Sequence, residues 1–226
     1  MTTISEIIPK SVIPDSSWAQ LYTVMPAHYI LIPREEKYEE ESSCDWFVVS
    51  LKNSSIDKKS VIFSGSFNPP HKGHKAMIEA SIQMFPERKV YVEICIKPYS
   101  KPALDYITID ERIKACMNFF GPLIEGVIVS SATFFYDKIN ILGWNHYYLI
   151  GRDTYDRIFD PATYPNDDFE QRINFMKGIG TKFLVADRQS DKEFTSIRED
   201  MCIPIPGYIY KDDGISSTKL RASEAV

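Results

Sequence analysis

Cysteine is scarce and never closely spaced. The four cysteines among 226 residues stand at positions 44, 95, 116 and 202, and no two form a Cys-x-x-Cys pair. That argues against a structural zinc site, and four cysteines at this length do not make a disulfide-dense secreted scaffold. They are expected to be packed thiols. No apolar run approaches the roughly 18 residues of a membrane-spanning helix. The opening MTTISEIIPKSV lacks the basic-then-apolar order of a secretory signal, so the expectation is a reduced, soluble, cytoplasmic protein with no membrane partner. Basic residues are not in excess: 26 Lys and Arg face 31 Asp and Glu, for a net charge of −5. That balance excludes general nucleic-acid or anionic-membrane binding, but it allows a local basic pocket for one anionic ligand. There is no internal repeat and no low-complexity tract.

What is present is an ordinary globular composition, 44% hydrophobic and 25% charged, on a chain long enough to bury a core. Residues 1–59 read differently from the rest. Pro9, Pro14, Pro26 and Pro33 argue against a long helix through most of them. The acidic stretch Glu35–Glu41 reads as a solvated loop or helix face. His28–Ile32 and Trp46–Leu51 read as short strands. This part is taken as an N-terminal extension packing on a core of residues 60–226.

From residue 60 the pattern is regular. Apolar, β-branched runs predict strands at Ser60–Ser64, Lys89–Ile96, Gly126–Ser131, Tyr147–Ile150 and Lys182–Ala186. Between them, helical spacing predicts helices over His74–Phe85, from a capping box at Thr108-x-x-Glu111 to Phe120, in DTYDRIF, and over Asp168–Lys177. Strands alternating with amphipathic helices imply an α/β fold, a doubly wound, Rossmann-like parallel sheet of about five strands with right-handed crossovers.

The most informative segment is Gly65–His74, GSFNPPHKGH. It falls at the carboxyl end of the first core strand and the start of the next helix, where such sheets place ligands. Gly65 and Ser66 permit a sharp turn and close approach of backbone to ligand. Pro69 and Pro70 stiffen the loop. His71 and His74, three residues apart, share a face of the first helical turn. Their donors, with the N–H groups of the helix start, suit an α-phosphate and the charge that grows on it. A Walker loop is excluded by spacing, as is the Gly-x-Gly-x-x-Gly dinucleotide loop. Alone, His-x-x-His would equally suit a metal pair or two surface histidines.

A second segment is Ile215–Arg221, ISSTKLR. Ser216, Ser217 and Thr218 gather where a C-terminal helix starts, and Arg221 follows one turn later. Such a group can hold phosphate oxygens, and it can equally be a Ser-capped surface helix. Lys101 and Arg112 read either as surface charges or as groups for an anionic substrate. Asp153 can cap the helix that follows it.

Together these segments resemble the nucleotidyltransferases with a His-x-Gly-His motif. That superfamily includes nicotinamide and nicotinate mononucleotide adenylyltransferases, pantetheine-phosphate adenylyltransferases and cytidylyltransferases. GSFNPPHKGH resembles its first motif, ISSTKLR its Ile-Ser-x-Thr-x-x-Arg motif, and LIGRDTYDRIFDPATY its Gly-x-Asp element. KPALDYITIDER is similar to a Lys-Pro-x-Leu…Arg segment of the nicotinamide-nucleotide branch, as are Phe135-Tyr136-Asp137-Lys138 and Gly151-Arg152-Asp153-Thr154 to further elements of a sub-branch. The resemblance covers about residues 60–226. It implies transfer of AMP from ATP, with magnesium, to nicotinamide or nicotinate mononucleotide. The alternatives are another phosphorylated acceptor, CTP as donor, or a nucleotide-binding protein without turnover.

The resemblance also implies roles. His71, His74, Lys101 and Arg221 would be catalytic. Gly65, Ser66, Phe67, Asn68, Gly73, Gly151, Asp153, Ile215, Ser216, Ser217 and Thr218 would bind the nucleotide. Arg112 would meet the acceptor, and Trp144, Trp46 or Tyr99 would stack on its ring. Magnesium would sit on phosphate oxygens, with no protein metal cage. Arg152 replaces the small residue common inside Gly-x-Asp, which implies altered contacts or an extra phosphate grip. Partners would be small nucleotides, and a homo-oligomer stays open.

Overall fold

The computed structural model describes residues 29–31, 46–50, 56–57, 59–95, 104, 106–143, 145–164, 168–187, 199–207, 209–210, 214 and 216–224. Eight strands form one sheet: β1 (Tyr29–Leu31), β2 (Trp46–Ser50), β3 (Val61–Gly65), β4 (Val90–Cys95), β5 (Gly126–Ser130), β6 (Tyr147–Gly151), β7 (Lys182–Ala186) and β8 (Cys202–Pro204). Among the described residues six α-helices accompany them: α1 (Lys72–Met84), α2 (Tyr106–Phe120), α3 (Phe135–Leu142), α4 (Arg152–Ile158), α5 (Phe169–Gly178) and α6 (Ser217–Glu224).

The sheet order is β1-β2-β5-β4-β3-β6-β7-β8. Strands β3 to β8 pair in parallel, whereas β1 and β2 pair antiparallel, with β2 on β5. The chain runs outward from β3 through β4 to β5, then crosses back to lay β6 on the other side of β3. That reversal opens a crevice at the carboxyl ends of β3 and β6, the place where doubly wound sheets bind ligands.

Period-two alternation divides the core in two. Val61, Phe63, Val92 and Leu149 turn to one face and pack with Met77 and Ile78 of α1 and Ile109, Ile113 and Phe120 of α2. Ile62, Tyr91, Tyr148 and Ile150 turn to the other, against Phe135 and Ile139 of α3, Tyr155 of α4 and Ile173 and Met176 of α5. Each such side chain contributes about 1.5–3 kcal/mol through burial.

The parallel sheet has six strands, one more than the pattern suggests. The extra one, β8, is a three-residue edge strand ending in Pro204, too short for periodicity and placed where a missing N–H is harmless. The extension does more than pack on the core: its two expected strands continue the sheet past β5. Helix α2 begins at Tyr106, so Thr108 lies inside it rather than capping it. Helix α3 has no counterpart in the sequence reading. The other expected strands and helices are found with ends shifted by a residue or two.

At the amino ends of the strands, His146 is nearly buried. Its Nδ1 accepts from the Ser60 N–H at 3.3 Å, and its Nε2 donates to the Leu142 carbonyl at 2.9 Å. It ties β3, β6 and the end of α3 together, far along the strands from the crevice.

Candidate active site

The loop from β3 to α1 is built around one aromatic ring. Phe67 has a left-handed backbone, φ 43°, and is 1% exposed. Its ring lies edge-on to Phe63, with centroids 5.1 Å apart, and to Phe120 at 5.8 Å. A Cβ at position 65 would come within 2.8 Å of that ring, so only glycine fits there. Phe67 in turn meets the His74 ring, centroids 5.1 Å apart, and Phe63 meets it at 5.7 Å. The Asn68–Pro69 peptide is cis.

His71 stands at the N-cap of α1 and His74 three residues into it. The His71 backbone N–H donates to His74 Nδ1 at 3.2 Å, and the two rings stack 3.7 Å apart. With Nδ1 committed as an acceptor, the neutral His74 ring carries its proton on Nε2. Gly73 is buried between them in the first turn.

Helix α6 docks on this loop from about 150 residues away in sequence. Ser217 Oγ donates to the Pro69 carbonyl at 2.9 Å. The Arg221 guanidinium donates to the Asn68 carbonyl. Ser216 caps the helix, its Oγ accepting from the Lys219 N–H at 3.3 Å. Capping and ligand-holding chemistry therefore coexist, because Ser216 caps while Ser217 and Arg221 face the loop. Across the crevice, Gly151 begins α4. A Cβ there would lie 2.8 Å from Asp153 Oδ1, so glycine leaves room for that carboxylate. Arg157 Nη2 is 3.8 Å from Asp153 Oδ2 and donates to Thr154 Oγ1 at 3.2 Å.

These groups line one cleft of about 390 Å³, together with Glu93, Cys95, Thr133, Phe134, Lys138 and Tyr164. That volume suits a small ligand. Phe134 and Tyr164 stack with centroids 5.5 Å apart. Arg172 of α5 lies 5.2 Å from the Phe134 ring and 5.8 Å from Tyr164, and is paired with Asp168 at 2.6 Å. It clamps the loop before α3 to α5.

Residues 62–223 match the cytidylyltransferase-like family. The chain belongs to that family. Two solved structures of the Plasmodium falciparum nicotinic acid mononucleotide adenylyltransferase are similar to this chain. The one complexed with NaAD is 21% identical, covers 73% of this chain and 83% of its own, and has a TM-score of 0.49. The one complexed with APC is 19% identical, covers 74% and 83%, and has a TM-score of 0.46. No curated protein matches.

In this cytidylyltransferase-like chain the expected residues divide into three sets. Gly65, Ser66, Phe67, His71, His74, Gly151, Asp153, Ser216, Ser217 and Arg221 line the cleft. Asn68, Gly73 and Arg112 do not line it: Asn68 turns its carbonyl to Arg221, Gly73 is buried in the first turn of α1, and Arg112, from α2, donates from Nη1 to the Ser66 carbonyl at 2.8 Å, bracing the loop from behind. Arg152 is engaged with Asp156 at 2.8 Å and Asp187 at 3.4 Å, tying α4 to the end of β7. Lys101, Tyr99, Trp144 and Ile215 lie outside the described residues, as do the side chains of Trp46 and Thr218.

The sequence reading missed Glu93, Phe134, Arg157 and Tyr164 as cleft residues, and it noted Lys138 without assigning it a place there. Glu93 had a signal, a charge inside the otherwise apolar strand VYVEIC. The aromatic residues had none, since nothing local separates a cleft-lining ring from a core ring.

Proposed function

We propose that this chain transfers an AMP unit from ATP to nicotinamide or nicotinate mononucleotide and releases pyrophosphate. One observation carries the reading: the loop that leads into His71 and His74 is bonded, through its Asn68 and Pro69 carbonyls, to Arg221 and Ser217, remote in sequence, and both segments line one cleft. A triphosphate is long enough to need both. His74 Nε2–H would donate to a nonbridging oxygen on the α-phosphorus, where charge grows in the transition state. Ser217, the α6 start and the Arg221 guanidinium would hold the β and γ phosphates. Asp153, kept open by Gly151, would receive the ATP nucleoside. Lys101 is assigned to the acceptor phosphate, while Arg112 acts through Ser66.

The acceptor phosphate oxygen attacks the α-phosphorus in line. That P–O bond forms as the bond from the α-phosphorus to the oxygen bridging it to the β-phosphorus breaks. The electron pair leaves with pyrophosphate, and no covalent intermediate on the protein is needed. Among the described residues no cluster of three or more His, Cys, Asp or Glu could hold a metal ion. Magnesium arriving with ATP would neutralise charge on the leaving group. No helix among the described residues is long and apolar enough to cross a membrane, and we assign the reaction to the cytoplasm.

The test is pyrophosphate release from ATP and magnesium with each mononucleotide in turn, using His74→Ala as the blank. Release by the wild type alone supports the assignment. Tight ATP binding with no release under any phosphorylated acceptor would instead identify a nucleotide binder without turnover.

A further inference from the structure

Glu93 lies in mid-strand on β4 and is fully buried. Lys138 of α3, 3% exposed, donates to its Oε1 at 2.7 Å, and Ser130 of β5 donates to the same oxygen at 2.5 Å. Oε2 has no hydrogen-bond partner among the described residues. Glu93 and Lys138 both line the cleft, and Glu93 pairs in register with Ser64, the residue before Gly65. The pair sits on the α3 face of the sheet, whereas the histidines begin α1 on the opposite face. An acceptor whose phosphate approaches the α-phosphate at the histidines would turn its base toward Glu93, in the cleft that the stacked Phe134 and Tyr164 rings also line.

Burying two ions is expensive unless hydrogen bonds satisfy the atoms left over. Here one carboxylate oxygen is doubly satisfied and the other is not, so the ligand must bring the missing donor. We infer that Glu93 Oε2 accepts a hydrogen bond from the base of the acceptor nucleotide, and so selects a carboxamide over a carboxylate on that base. This deepens the adenylyl-transfer reading above and rests on it. Glu93 and Lys138 already cancel each other's charge. A neutral amide N–H satisfies Oε2 and adds no charge. A carboxylate would bring a second anion against Oε2 and leave the Glu93–Lys138 group net negative.

The test compares kcat/KM for nicotinamide mononucleotide and nicotinate mononucleotide in wild type and in Glu93→Gln. The ratio between acceptors does not depend on how much of a preparation is folded. The wild type is expected to favour the amide by about tenfold or more. Glu93→Gln, whose amide can donate to a carboxylate, is expected to lower that ratio by about tenfold. Equal use of both acceptors, preference for the acid, or a ratio unchanged in the variant overturns the inference while leaving adenylyl transfer standing. If the wild type adenylylates neither acceptor, both readings fall. If Glu93→Gln does not fold, the wild-type ratio decides, and Glu93→Asp must lower kcat/KM for the amide acceptor more than for the acid.

Discussion

His74 is held from three sides, by the His71 N–H on Nδ1, the stacked His71 ring and the edges of Phe63 and Phe67. A ring fixed this way offers its Nε2–H without reorganisation, the condition under which one donor matters most to a barrier. His74→Ala is expected to lower kcat by about 10²–10³ and to change the ATP dissociation constant only a few-fold. Single-turnover rates beside equilibrium ATP titration check this, and equal losses in both would remove His74 from the α-phosphate. The two glycines make a contrasting pair. An alanine at 65 runs into the Phe67 ring, which is 1% exposed and cannot move aside. Gly65→Ala should therefore cost about 1–3 kcal/mol of stability as well as activity. An alanine at 151 meets only the end of Asp153, whose side chain is 73% exposed and can swing away. Gly151→Ala should leave urea stability within about 0.5 kcal/mol of wild type and raise KM for ATP.

At the scale of elements, the Ser217 and Arg221 bonds join α6 to the loop between β3 and α1. Arg221 is exposed, so its bond contributes little to folding. Arg221→Ala should raise KM for ATP about tenfold or more while moving the melting temperature little. An unchanged KM would make α6 a surface helix and no more. The end of α3 behaves differently, because His146 joins it to β3 and is largely buried. Burial holds the His146 imidazole below its ordinary 6.5, outweighing the Leu142 carbonyl that favours the charged ring. The unfolded chain takes up this proton first as pH falls. Stability contributed by the neutral ring is thus complete above about pH 6.5 and declines below it until the folded imidazole itself titrates. Urea midpoints at pH 7.5 and 5.5 should show this loss in the wild type and a smaller one in His146→Gln.

For the whole molecule, the extension lengthens the sheet. Strand β2 covers the free edge of β5 along its whole length, from Gly126 to Ser130. Deleting residues 1–50 bares that edge, an invitation to intermolecular pairing. The truncated chain should melt lower and elute as aggregates on size exclusion. A monodisperse truncation that melts like the full chain but has lost turnover would move the extension from folding into chemistry. Ser130, on β5, also donates to Glu93, so disturbance at this edge reaches the cleft floor.

Much of this was legible from local chemistry. Apolar runs placed five of the six parallel strands and both strands of the extension; in the parallel core, burial on both faces demands unbroken Val, Ile and Phe, and that demand is local. GSFNPPHKGH and ISSTKLR named the residues at the cleft because turn, cap and helix-start chemistry spans few positions. What folding alone settled was distance in space. Arg112 reads in sequence either as a surface charge or as a group for an anionic substrate, and packing turns it onto the Ser66 carbonyl. Arg152 reads as altered contacts or an extra phosphate grip, and in the fold Asp156 and Asp187 claim it. Glu93, Ser130 and Lys138 meet only because β4, β5 and α3 converge there. A side chain's partner is set by which strands become neighbours, and crossovers fix that over tens of residues, well beyond the reach of any local pattern.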